Sequence, residues 1–171
     1  MEIDASQALV LEDFDMFYRT TFPGVARAAA LVARDPGTGQ DLAQEAFFRL
    51  YERWTSMRTD EHARRFAYRV AINLARSHLR KHLRIRLSGL EPRGGDVAVS
   101  LPSAWGDIAD ALGALSPRQR ASVVLVDYVG FNAAEAGDVM RISAGTVRAH
   151  LMRGRRALRQ ALGPSEAESE R

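Results

Sequence analysis

Ser143-Ala-Gly-Thr-Val-Arg-Ala-His-Leu-Met-Arg-Gly-Arg-Arg-Ala-Leu-Arg-Gln160 decides how the rest of the chain is read. At helical period it divides into two faces. Val147, Leu151, Gly154, Leu158 and Leu162 recur at i, i+4, i+7, i+11 and i+15, a stripe of apolar or small residues. Ala149, Met152, Arg153 and Arg156 lie on the other side, flanked by Arg148, Arg155 and Arg159. Ser143 is placed to cap the first turn. A helix with one core face and one arginine face suits a DNA major groove. A surface helix with a solvated charge face fits this stretch equally well.

The residues just upstream supply a partner helix. Asn132 is a capping residue, and Ala133, Ala136 and Val139 follow it to about Met140, with Glu135 in the first turn. The turn Arg141-Ile142 then leads to Ser143. A short helix, a tight turn and an arginine-rich helix form a helix-turn-helix pattern. Gly137 inside the short helix costs up to about 1 kcal/mol relative to alanine. It either permits close packing or loosens the unit. Further upstream, Ser116-Pro117 is an N-cap followed by proline at the first helical position, and opens a helix that Gly130 stops near Val129. A preceding helix is expected over 107–115. Residues 164–171 are polar and acidic, and a disordered tail is expected from 163 onward.

Before this block, residues 87–106 are rich in Gly, Pro and Ser and read as a flexible linker. Ahead of the linker a long helix is expected over about His62 to Arg86. Arg65, Arg69, Asn73, Arg76, Arg80 and Arg84 share one arc of it at 3.6 residues per turn, and Ala63, Ala67, Val70, Ala71 and Leu74 form the adjoining core face. Few acids on this helix offset the arginines, so they repel one another unless a polyanion is bound. Thr55 to Glu61 is a polar loop. A helix from Gln40 to Trp54 uses Leu42, Ala46, Leu50 and Trp54 as its core, with Tyr51 and one of Phe47 and Phe48 beside them. Asp41, Gln44, Glu45, Arg49 and Glu52 occupy its polar surface, where early acids also favour the helix dipole. Asp35-Pro-Gly-Thr-Gly reads as a loop. The first helical region covers 13–33, with a kink or break at Pro23-Gly24.

The chain is therefore all-α: two small helical domains joined by a flexible linker, the second a helix-turn-helix domain. The boundaries are 1–86, 87–106, 107–162 and the tail 163–171. Hydrophobic residues make up 46% of the 171, which suffices for packed cores. A net charge of +3 conceals alternation: residues 1–60 balance to −4, 61–90 to +7, 91–115 to −3, 116–163 to +5 and 164–171 to −2. Two basic blocks point to two contacts with a polyanion, and the acidic first segment to a different partner. Lys81 is the only lysine among 24 basic residues. Arginine suits bidentate contacts with phosphate and guanine, although a GC-rich genome gives the same bias.

There are no cysteines, hence no disulfide, thiolate metal site or cysteine nucleophile. No apolar run approaches membrane-span length, and the acidic start is unlike a signal peptide, so no membrane association and a cytoplasmic location are expected. His78 and His82 stand at i, i+4, but no glutamate lies between them and adjacent arginines repel a cation, so no metal is expected. Nucleotide-binding loops and serine nucleophile motifs are absent as well. The reading is a protein without catalytic residues or cofactor.

Three stretches together resemble the bacterial RNA polymerase sigma factors of the extracytoplasmic-function (ECF) type, over about 13–86 and 107–162. The first is Phe17-Tyr18 and Phe22-Pro23 with Gln40-Asp-Leu-Ala-Gln-Glu-Ala-Phe. The second is Ala67-Tyr-Arg-Val-Ala-Ile-Asn-Leu-Ala-Arg-Ser-His-Leu-Arg-Lys. The third is Leu115-Ser-Pro-Arg-Gln-Arg with Gly145-Thr-Val-Arg and Arg153-Gly-Arg-Arg-Ala-Leu. The resemblance implies core RNA polymerase as partner, through its β′ clamp helices and β flap, with Asp41, Gln44, Glu45 and Phe48 as docking residues. It implies −10 element contacts at Ser56, Met57, Arg58, Arg65, Arg69, Asn73, Arg76, Arg80 and Lys81, the loop residues capturing an unstacked base. It implies −35 contacts at Arg118, Ser143, Gly145, Thr146, Arg148, Ala149, Met152, Arg153 and Arg155. Double- and single-stranded promoter DNA and an anti-sigma factor complete the implied partners. A helix-turn-helix regulator acting without polymerase explains only 107–162 and leaves the acidic helix and the long arginine stripe unused.

Overall fold

The computed structural model describes residues 5–87, 108 and 110–162, and among these every regular element is helical. Helix α1 is Ala5–Ala33, α2 is Pro36–Tyr51, and α3 is Asp60–Leu87. A single 3₁₀ turn, Trp54–Ser56, stands between α2 and α3. Residues 110–113 form a helical turn. Helix α4 (Pro117–Val123) runs into a wider π-turn at Val124–Tyr128. Helices α5 (Ala133–Met140) and α6 (Ala144–Leu162) form the helix-turn-helix. The expected linker 87–106 and tail 163–171 lie outside the described residues, apart from Leu87.

Several boundaries correct the sequence reading. The segment Asp35–Gly39 is not a loop. Asp35 is the N-cap of α2, its Oδ2 accepting the Thr38 amide at 2.6 Å, and Pro36 occupies the first turn. Proline is tolerated there because that amide has no helical acceptor anyway. Gly39 then lies against α1: a Cβ would sit 2.4 Å from the Ala30 backbone nitrogen, so only glycine permits this crossing. Helix α1 also passes through Pro23 without the expected break, with Pro23 on its exposed side. The helix at Pro117 is regular only to Val123. There the amide of Val129 reaches back five residues to the Val124 carbonyl before Gly130, at φ +85°, ends the segment.

Helices α1, α2 and α3 enclose the first core. Val25, Ala28 and Val32 meet Ala43, Ala46 and Leu50, and Ala67, Ala71, Ile72 and Ala75 close the third side. Small residues let the axes approach closely, while each buried large side chain contributes roughly 1.5–3 kcal/mol. Phe14, Phe17, Tyr18, Phe22, Phe47 and Trp54 stack at one end, with neighbouring ring centroids 4.8–6.5 Å apart. Of the two candidate phenylalanines Phe47 is buried and Phe48 is 60% exposed. Tyr51, expected in the core, is about half exposed, its ring meeting Phe14 edge-on. On α3 the buried face is wider than expected, since Tyr68, Ile72, Ala75 and Leu79 are buried too.

The second core gathers Leu112, Leu115, Val124, Leu125, Phe131, Val139, Val147 and Leu151. Gly137 permits close packing: a Cβ there would lie 2.7 Å from the Ile142 carbonyl oxygen in the turn. The two cores are continuous. Tyr68 of α3 meets Phe131 edge-on at 5.3 Å, and the Arg64 guanidinium lies over both rings. The two helical units thus pack directly against each other.

Candidate nucleic-acid interface

Asp41, Gln44, Glu45 and Phe48 stand at i, i+3, i+4 and i+7 of α2 and all are exposed on one face. Arg49 donates to Glu45 at 2.7 Å and leaves Asp41 and Gln44 open. An exposed acidic, amide and aromatic face of this kind can take a protein partner. Tyr51, exposed three residues after Phe48, extends this face; its aromatic type suited the core, so periodicity alone concealed it.

The loop residues Ser56 and Arg58 are exposed, whereas Met57 packs partly against the aromatic end of the first core. The Ser56 hydroxyl donates to the Arg53 carbonyl at 2.7 Å.

The arginine stripe of α3 is divided. Arg80, Lys81 and Arg84 are exposed. The preceding residues meet α5. Arg65 pairs with Glu135 at 3.0 Å as well as with Glu61 on its own helix, and these carboxylates hold its guanidinium above its ordinary pKa. The Asn73 amide donates to the Val139 carbonyl at 2.9 Å, and Arg76 Nη1 to the Met140 carbonyl at 3.4 Å and to Asn73 Oδ1 at 3.0 Å. Those carbonyls belong to the last turn of α5, where helical acceptors have no amide of their own and the helix dipole is negative. Arg141, in the left-handed conformation at φ 57°, ends α5 and leaves them available. Arg76 is consequently only 7% exposed, and Arg69 has a buried Nε without a partner. The expectation that the stripe repels itself unless a polyanion is present is corrected at Arg65, which pairs with Glu135 of α5; Asn73 and Arg76 gain carbonyl acceptors there, while Arg76 keeps Arg80 and Arg118 as charged neighbours. Nothing in α3 alone announces this, because the partners lie more than sixty positions away.

On α6, Ser143 caps the helix by accepting the Thr146 amide at 3.1 Å, and the two hydroxyls are hydrogen-bonded at 2.8 Å. Val147, Leu151 and Gly154 are buried and Leu158 is half-buried, but Leu162 is exposed. Gly145, Thr146, Arg148, Met152 and Arg153 are exposed on the opposite side, with Ala149 and His150 partly covered. Arg155 points elsewhere and forms a bidentate pair with Asp127 of the π-turn. Arg118, at the start of α4, is exposed. Arg120, two residues on, is a buried guanidinium that donates to the carbonyls of Leu112, Gly113, Leu115 and Val32. Burial and the neighbouring Arg34 lower it to about 10, so it stays charged at neutral pH. Nothing in the basic block 116–163 singles Arg120 out, and only the fold shows it to be internal.

Family models match both units: "Sigma-70 region 2" covers residues 17–85, and "Sigma-70, region 4" covers 105–158. The RNA polymerase sigma-E factor of Streptomyces coelicolor is 30% identical over 152 residues, covering 88% of this chain and 86% of that protein. The chain belongs to the ECF sigma factors. Sigma factors act in transcription initiation and are not an enzyme class. A second relative, the ECF sigma factor SigM of Mycobacterium tuberculosis, is 28% identical over 153 residues, covering 88% of this sigma factor and 77% of that one. In fold it is similar to the sigma factor RpoE of Bartonella quintana, solved in complex with the anti-sigma factor NepR. The TM-score is 0.75 at 21% identity, over 88% of this chain and 97% of that one. CnrH, solved with the cytosolic domain of CnrY, gives a TM-score of 0.65 at 21% identity, over 89% of this chain and 88% of that one. Among the described residues of this sigma factor, no helix is long and apolar enough to cross a membrane, and no group of three His, Asp or Glu is placed to hold a metal.

Proposed function

We propose that this ECF sigma factor docks on core RNA polymerase through the Asp41, Gln44, Glu45 and Phe48 face of α2 and directs it to promoters through two separate DNA contacts. The contact surfaces on the polymerase are the β′ clamp helices and, for the second unit, the β flap. Helix α6 reads −35 duplex in the major groove through Arg148, Ala149, Met152 and Arg153, with Ser143, Gly145, Thr146 and Arg118 toward the backbone. A good bidentate arginine–guanine pair discriminates by about 1–3 kcal/mol. Helix α3 and the preceding loop engage the −10 element as it melts. Ser56, Met57 and Arg58 receive an extruded base, and Arg65, Arg69, Asn73, Arg76, Arg80 and Lys81 hold the strand. The two units act as domains 1–86 and 107–162, with 87–106 setting their spacing, and tethering raises the effective concentration of the second contact. An anti-sigma factor is the expected antagonist, in the cytoplasm.

One observation carries this reading: an exposed acidic-aromatic face and two arginine-bearing helices occur on one chain, and only a protein joining both a protein and DNA uses all three. The arrangement of α3 adds a requirement. With Asn73 and Arg76 hydrogen-bonded to the α5 carbonyls, the −10 contact needs α5 to leave α3. The closed packing is therefore the free form, and the promoter-bound form is open.

Transcription with purified core polymerase and a promoter library tests the assignment. Start sites at a shared pair of elements are expected, and Asp41→Ala/Glu45→Ala weakens core binding at least tenfold. Absence of any promoter-specific transcript, with core binding untouched by the double substitution, contradicts it. A regulator independent of polymerase instead binds duplex DNA specifically by itself.

A further inference from the structure

Between α3 and the start of α4 lies an open cleft of about 300 Å³, lined by Arg76, Arg80, Ser116, Pro117 and Arg118. Two of its guanidinium groups come from the first helical unit and one from the second. Among the described residues none of the three forms an ion pair with a carboxylate. Arg76 is more than nine-tenths buried, and its Nε has no hydrogen-bond partner. Among the described residues Arg80 donates to the neighbouring Ser77 hydroxyl, at 3.0 Å. The Ser116 oxygen accepts the Gln119 amide, which leaves its hydroxyl proton free to donate. His150 adds no negative charge nearby. Both of its ring nitrogens are buried without a partner, and its charged neighbours are Arg118, Arg153 and Arg76.

Burying a guanidinium beside two others costs free energy that a bound anion recovers. We infer that this cleft binds a small phosphoanion with adjacent phosphoryl groups, of the pyrophosphate class, and that the anion fastens the two helical units together. Planar guanidinium forks match phosphoryl oxygens bidentately, and three of them match a multiply charged anion better than a single carboxylate. The volume admits two or three linked phosphoryl groups and not a duplex. An anion held by Arg76 and Arg80 on one side and by Arg118 and Ser116 on the other binds the closed form in preference to an open one, so it stabilises closure by linkage. That closure withholds the −10 contact rests on the function proposed above. Binding itself does not, and it is measured on the free protein without polymerase or DNA.

Isothermal titration calorimetry of the full chain with pyrophosphate tests the site, with sulfate and chloride at matched ionic strength as comparisons. One saturable site per chain is expected. Arg118→Gln and Arg80→Gln, both on exposed side chains that the fold does not need, weaken it at least tenfold. Arg156→Gln, an equal loss of charge on the exposed side of α6, leaves it within twofold. Hydrogen exchange in α5 and in the middle of α3 slows when pyrophosphate is bound. Heats that follow ionic strength alone, sulfate equal to pyrophosphate, or an Arg156→Gln loss as large as that of Arg118→Gln overturn the site. Saturable binding without slower exchange in α5 overturns the fastening.

Discussion

Arg120 places four backbone acceptors on one guanidinium. Without it the carbonyls of Gly113 and Leu115, and that of Val32 on α1, lose this donor, and that of Leu112 keeps only the Leu115 amide. Arg120→Ala therefore lowers stability by about 3–5 kcal/mol, through unsatisfied carbonyls and a cavity together. Equilibrium urea unfolding measures it; a loss below 1 kcal/mol contradicts the role. The neighbouring Arg118 is exposed and free of carboxylates, so two arginines two positions apart have opposite roles. Composition and helical spacing do not separate them, because an internal arginine is defined by carbonyls that converge on it only after folding.

His150 gives the fold a pH dependence with a definite sign. Burial, then Arg118, Arg153 and Arg76, lower its pKa from the ordinary 6.5. The unfolded chain thus takes up the proton first as pH falls. Its stability contribution is complete above about 6.5 and is lost as pH drops below that value toward the lower folded pKa. Burial and His82 lower His78 in the same direction. The urea midpoint is expected to fall between pH 7.5 and 5.5, and to fall less in His150→Gln. Equal falls in the two proteins exclude His150 as a source.

At the scale of elements, local chemistry was legible wherever a cap or a stop announced itself. Ser116-Pro117, Asn132 with Glu135, and Ser143 all cap as read, and Gly130 takes the positive φ that stops its segment. Asp35-Pro36 bears the same signature, but the glycines at 37 and 39 give the segment the composition of a loop. Gly39 is required by the α1 crossing, a fact about packing and not about propensity. The arginine stripe was legible as a stripe but not as a surface half covered by α5, since the capping carbonyls carry no sequence signal. Gly137 shows the same limit. Alanine has the better helix propensity by about 1 kcal/mol, yet a Cβ would press on the Ile142 carbonyl. Gly137→Ala should destabilise the protein by about 1–3 kcal/mol and weaken duplex binding by misplacing α6. Thermal unfolding and a DNA-binding titration check the two effects; a stabilised variant refutes the close approach.

For the whole molecule, the two helical units are held by a continuous apolar core and a row of polar contacts. Tyr68 and Phe131 meet under Arg64, and Arg65, Asn73 and Arg76 reach across to α5. The sequence divides the two units by composition but carries nothing about how they pack, since each half satisfies its own periodicity. The consequence is mechanical. Three residues proposed to contact −10 DNA are engaged with α5, so under the proposed function promoter binding should exchange α5 for nucleic acid. Its salt dependence should reflect only the arginines that displace counterions.

The absence of native cysteine allows this exchange to be measured without a background label. Nitroxide pairs at Ser77→Cys and Asp138→Cys, both exposed positions on α3 and α5, report the separation by double electron–electron resonance. The free protein should give one short, narrow distance. Adding core polymerase with promoter DNA should replace it by a longer one. An unchanged short distance in an actively transcribing complex would contradict the claim that the closed packing must open for the sigma factor to work.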